Sequence, residues 1–206
     1  DAMKVDSCRS VLDLGCGTGV AARSIARRKG FAGHITGVDL SPYLVAAAKR
    51  FSEQEGVGHA VEFRAGDSHS LGLPDGAFDA VIAHTLISHV DDPRAVLGEM
   101  GRVVKPGGTI AVFDGDYASI TFGSGDVEKG KANDELIIKA LVTNPRVMRQ
   151  MPQLLQEAGL SLVSAFSYVV ADIGKADFWA PALQSFIRLL PKAEAMSESE
   201  AQAWVT

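Results

Sequence analysis

Residues 11–19 read V-L-D-L-G-C-G-T-G. An apolar run is broken by one acid, Asp13, and closes on Gly15, Gly17 and Gly19. Glycines at a strand-to-helix turn let backbone approach a ligand closely. The helix that follows offers unpaired N–H groups. Dinucleotides, nucleotide phosphates and carboxylates all suit such a turn, and the spacing separates them. A dinucleotide fingerprint needs G-x-G-x-x-G/A, but Val20 stands in the third slot. The G-K-[ST] of a phosphate-cradling loop is absent. Asp13 is awkward beside a pyrophosphate and favourable beside a cation. The loop therefore calls for a ligand with a positive end and little phosphate.

Outward from this stretch, apolar runs alternate with helical segments. Strands are expected at 10–14, 34–40, 61–65, 78–84 and 109–113, with a sixth at 162–171. Helices are expected at 20–29, from Pro42 to about 55, and from Pro93 to about 104. Ser41-Pro42 and Asp92-Pro93 pair an N-cap with a first-turn proline. Lys105-Pro106-Gly107-Gly108 reads as a helix-to-strand turn. Residues 119–130 are glycine-rich and read as irregular. Further helices are expected at 132–143, 146–157 and 176–205, the last broken by Pro181 and Pro191. Such alternation predicts an α/β fold with a doubly wound, mostly parallel sheet. The reading is one domain over 1–206. Its sheet core comprises 1–115 with about 145–173, and its cofactor-binding part is 1–115. Additions at about 117–150 and 175–206 shape a substrate pocket.

In open α/β sheets, ligands lie across the carboxyl ends of the strands, at the switch in strand order. Asp13, Asp39 and Asp67 all fall at such ends. Asp39, 20 residues after Gly19, can accept from both hydroxyls of a ribose. Asp67 can accept from an adenine amino group. A cationic group, a ribose and an adenine together describe S-adenosylmethionine.

Five motifs in order carry a resemblance: V-L-D-L-G-C-G-T-G at 11–19, G-V-D-L-S at 37–41, G-D at 66–67, L-P-D-G-A-F-D at 73–79 and R-V-V-K-P-G-G at 102–108. Over residues 8–115 the chain resembles class I S-adenosylmethionine-dependent methyltransferases of Rossmann-like fold. It is most similar to the small-molecule, type 11 branch that includes ubiquinone- and menaquinone-biosynthesis enzymes. The resemblance implies that Asp13, Gly15 and Gly17 surround the methionine moiety. It implies ribose binding by Asp39, adenine contacts from Leu40, Asp67 and Ser68, and a methionine end lined by Ala83 and His84. The family's N-terminal helical segment is reduced here to a stub, which suggests that the full-length protein begins earlier. Its seventh strand is expected to be absent from this chain.

His84 and His89, at or after the end of the fourth strand, are candidate general bases. His34, His59 and His69 read as surface loop residues. Asp79 reads as structural. Asp114 and Asp116 are two carboxylates without a further ligand, so no metal site is assigned. Phe122, Met148, Met151, Phe178 and Trp179 read as core by default. The net charge of −5 and the lack of a basic cluster argue against nucleic acid as partner. Cys8 and Cys16 lack a zinc or disulfide pattern, which points to a reducing, cytoplasmic compartment. No apolar run is long enough to span a membrane. The expected reaction is in-line methyl transfer to a small-molecule acceptor. A nicotinamide-dependent oxidoreductase and a non-catalytic adenosyl-ligand binder are the competing readings.

Overall fold

The computed structural model describes residues 3–123, 125–172, 177–178, 180–194 and 196–205. Trp179 lies outside the described residues. The chain divides into two units, Asp1–Gly115 with Arg146–Val163, and Asp116–Pro145 with Ser164–Thr206.

The first unit is built on five strands: β1 (Ser10–Leu14), β2 (His34–Asp39), β3 (Val61–Ala65), β4 (Phe78–His84) and β5 (Val104–Phe113). They form one sheet in the order β3-β2-β1-β4-β5, and every pairing is parallel. Helices α1 (Val20–Ala26) and α2 (Pro42–Gln54) follow β1 and β2, and α3 (Pro93–Val103) follows β4. The Rossmann-like, doubly wound architecture is the one the alternation predicts.

Successive strand side chains face opposite ways, and β1 shows what each face does. Val11 joins a core with Ala22 of α1 and Val45 and Ala48 of α2. Leu12 and Leu14 join the other core, with Leu97 and Met100 of α3. That second core also takes Val147 and Met151 of a helix from later in the chain, Val147–Glu157. Leu12, Leu14, Leu97 and Met100 are fully buried. Each contributes roughly 1.5–3 kcal/mol through apolar burial. Asp13 shares the Val11 face, which turns its carboxylate towards α1.

The second unit contains α4 (Val127–Leu141), α6 (Ala180–Lys192) and α7 (Glu198–Val205), while α5 (Val147–Glu157) belongs to the first. Ile137, Phe186, Leu190 and Ala201 form its buried centre, and Phe122 meets Trp204 edge to face at 4.9 Å between centroids. Phe178 is 57% exposed rather than core.

Four local expectations change. Residues 160–172 carry no regular secondary structure, so the sixth strand is not formed. Val163 and Val169 are more than 90% exposed. An extended segment is not stable without ladder partners. Helix α4 starts at Val127, not at 132, because Asp126 caps it by accepting from Lys129 N at 3.0 Å. A cap contributes about 0.5–2 kcal/mol, enough to offset the roughly 1 kcal/mol cost of Gly130 inside a helix. Residues 105–108 lie within β5 as a bulge: Val104 pairs with Phe78 and Thr109 with Ala80. Pro191 sits in the last turn of α6 rather than breaking a helix.

Candidate functional site

The strand order reverses between β1 and β4, and the carboxyl ends beside that point carry the polar residues of interest. Asp13 is 1% exposed, and its carboxylate accepts from Ala22 N of α1 at 3.0 Å. Burial, aided by the nearby Asp39 charge, raises its pKa to about 6 against the pull of the Ala22 N–H. At the end of β2, Asp39 accepts from Gly17 N at 2.8 Å and from Ser41 N at 2.9 Å. Val38 O accepts from both Gly15 N and Cys16 N, at 2.8 and 3.0 Å. The end of β2 therefore shapes the glycine loop after β1. Between them sits Cys16, 8% exposed, whose thiol pKa is pushed up by burial and then by Asp13 and Asp39.

After β3, Asp67 accepts from His69 N at 2.9 Å and pairs with His69 Nδ1 at 2.7 Å. These hydrogen bonds hold its carboxyl below the usual carboxylate range. After β4, Thr85 takes φ +54, a conformation costly for a β-branched residue. Its N–H donates to Phe113 O at 2.8 Å. Ser88, fully buried, donates to Asp114 from its N–H at 2.9 Å and from its hydroxyl at 2.8 Å. Asp114 is thus committed to holding the loop after β4.

These loops enclose a cavity of about 310 Å³. Leu14 and Gly15 contribute from β1 and its loop, and Val38, Asp39 and Leu40 from the end of β2. Gly66, Asp67, Ser68 and His69 contribute after β3, and Leu86, His89, Val90 and Asp91 after β4. Of the residues expected to bind a cofactor, Gly15, Asp39, Leu40, Asp67 and Ser68 line it. Asp13, Gly17, Ala83 and His84 do not. Of the two candidate bases, His89 lines the cavity. His84 stacks on Phe113 at 4.8 Å and meets Thr85 Oγ1 through Nδ1 at 3.0 Å. Sequence reading missed His69, Leu86, Val90 and Asp91. The Asp-x-His spacing of 67–69 was the one available sign of the first, since it suits a local side-chain turn.

Three acids, Asp39, Asp67 and Asp91, line the cavity, and among the described residues no Lys or Arg does. That donor-poor, acceptor-rich wall suits hydroxyl, amino and cationic groups and disfavours phosphate. Gly15 takes φ +68, the left-handed region that favours glycine, and a Cβ there would lie 2.7 Å from Leu86 Cδ1.

Residues 12–112 match the family model described as a methyltransferase domain. A sterol 24-C-methyltransferase of Gibberella zeae is 29% identical over 83% of this chain and 44% of its own length. A structure titled as a putative sarcosine dimethylglycine methyltransferase from Galdieria sulphuraria superposes with TM-score 0.65. It is 19% identical and covers 99% of this chain and 75% of its own. The [4+2]-cyclase SpnF is 28% identical with TM-score 0.59, covering 76% of this chain and 53% of its own. Residues 12–112 thus form a methyltransferase domain on the Rossmann-like sheet of class I S-adenosylmethionine-dependent methyltransferases. The chain spans about half the length of the first curated relatives it matches. Among the described residues no helix is long and apolar enough to cross a membrane. The acceptor-rich wall, without a lining Lys or Arg among the described residues, fits the adenosyl cofactor that the family implies.

Proposed function

We propose that this chain is the catalytic core of a cytoplasmic S-adenosylmethionine-dependent methyltransferase with a small-molecule acceptor. The observation that carries the reading is the acid-lined cavity at the reversal of strand order, without a lining Lys or Arg among the described residues. When bound, S-adenosylmethionine supplies a methyl group already activated by its sulfonium. The protein's work is then alignment, and orientation can supply on the order of 7–11 kcal/mol.

In this reading Asp39 accepts from the ribose hydroxyls and Asp67, with Ser68, meets the adenine edge. Leu40, Leu86 and Val90 offer apolar surface to the ring. Asp13, Gly15 and Gly17 serve the methionine end through the loop they shape, with Ala83 and His84 at its far side. His89 is the better-situated base for an acceptor that must lose a proton, since it borders the cavity. The sterol methyltransferase relative makes small apolar acceptors the first to try.

Calorimetric titration with S-adenosylhomocysteine and with NADH is the first test. Binding of the former alone supports the proposal, and binding of NADH alone overturns it in favour of an oxidoreductase. Transfer of a labelled methyl group to a small-molecule panel then separates a methyltransferase from a non-catalytic binder or a cyclase-like use of the fold.

A further inference from the structure

His69, a surface loop residue by its sequence context, lines the cavity, and both of its ring nitrogens are engaged. Nδ1 lies 2.7 Å from Asp67 Oδ1. Nε2 lies 3.3 Å from Asp92 N. A backbone N–H only donates, so Nε2 must be the acceptor and carry no proton. The proton of the neutral ring is therefore on Nδ1, where it donates to Asp67. The two contacts together select one tautomer.

Both ends of this bridge are themselves fixed. Asp92 caps α3, accepting from Arg94 N at 3.0 Å and Ala95 N at 3.1 Å. Asp67 receives a second bond at the same oxygen, from His69 N at 2.9 Å. Asp67 Oδ2 takes no donor among the described residues. One carboxylate oxygen is thus spent on orientation, and the other is left for a ligand. The side chain of Asp67 is 54% exposed, so without the bridge it would rotate freely in water.

We propose that His69 is a positioning residue of the adenosyl site: its imidazole ties the Asp67 carboxylate to the start of α3 and so joins the loops after β3 and β4 into one wall. The inference rests on the methyltransferase reading only for the identity of the ligand. It does not make His69 a fold-critical residue. A second anchor lies two residues on, where Leu71 N donates to Glu99 Oε2 of α3 at 2.8 Å. That anchor survives loss of the imidazole.

The test is a double-variant cycle read by calorimetry with S-adenosylhomocysteine, alongside thermal unfolding. His69→Ala should fold normally and weaken binding about tenfold, the scale of one hydrogen bond to a charged group. Asp67→Ala should weaken it at least as much. The double variant should bind no worse than Asp67→Ala alone, because His69 acts through Asp67. His69→Asn, whose amide can still donate to Asp67, should recover part of the loss. Additive losses in the double variant, or wild-type binding by His69→Ala, would overturn the proposal. Should the wild-type protein bind no adenosyl ligand at all, the methyltransferase reading falls instead. Nitrogen NMR of the ligand-free protein then still decides the bridge: a proton on Nδ1 supports it and a proton on Nε2 refutes it.

Discussion

The carboxylate of Asp39 accepts from the Gly17 backbone N–H at 2.8 Å, so the acid ending β2 holds the loop that ends β1. In the proposed site, this one side chain would couple ligand recognition to loop geometry. Replacing Asp39 removes the restraint on the glycine turn and, under the proposed function, an acceptor for the ligand.

For Asp39→Ala we expect S-adenosylhomocysteine binding to weaken by roughly 1–3 kcal/mol, the cost of unsatisfied polar partners. Calorimetry measures it, and an unchanged dissociation constant would remove Asp39 from the site. Asp39→Asn should lose less, since its amide oxygen still accepts one of the two backbone N–H groups.

Asp13 gives a pH signature that needs no ligand. Its folded pKa is raised, from 3.8 to about 6, so folding favours the protonated form. The wild-type protein should lose stability from this group as pH rises between those two values and hold level above them. Asp13→Asn cannot titrate but can still accept from Ala22 N. Its melting temperature relative to wild type should climb over that window, by the equivalent of about 2–3 kcal/mol. Any fixed cost of the buried amide is independent of pH. A constant difference across the window would contradict the assignment.

Asp79 has the opposite sign. It accepts from Arg9 N, Ser10 N and Lys105 Nζ, at 2.8, 2.9 and 2.6 Å, pinning the start of β1 and the bulge of β5 to β4. The Lys105 ammonium, with these N–H groups, holds its carboxyl far below the usual range. Its contribution is present above the unfolded carboxylate range and fades as pH falls through the folded pKa. Asp79→Ala should cost about 1–3 kcal/mol near neutral pH. The penalty measured by denaturant titration should shrink in acid and leave ligand affinity per folded molecule unchanged.

Gly15 and Gly17 should differ in what they disturb. Both have positive φ, +68 and +52, so either alanine variant strains the turn. Only at Gly15 would the new methyl strike a neighbour, Leu86, which lines the cavity. Gly15→Ala should lower both melting temperature and ligand affinity. Gly17→Ala, with nothing within 4 Å of its Cβ, should leave the Leu86 wall in place and keep more of the affinity.

Much of the first unit was legible because its signals are local. Periodicity marked the five strands, and Ser41-Pro42 and Asp92-Pro93 marked two helix starts. The carboxyl-end rule singled out Asp39 and Asp67 on the cavity wall. What escaped depends on distant partners. The alternation at 162–171 suits a strand, but a strand also needs a neighbour, and composition cannot supply one. The run at 105–108 suits a turn, yet pairing of Val104 with Phe78 draws it into β5. His69 looked solvent-facing because its second partner, Asp92, lies 23 positions away.

The Cys16 thiol feels the charge of two carboxylates, the buried Asp13 and the cavity-lining Asp39. Alkylating agents and peroxide attack thiolates, and burial, reinforced by these negative neighbours, keeps this one protonated. A cluster of acids suited to greeting a positive ligand also passivates the single thiol inside the loop.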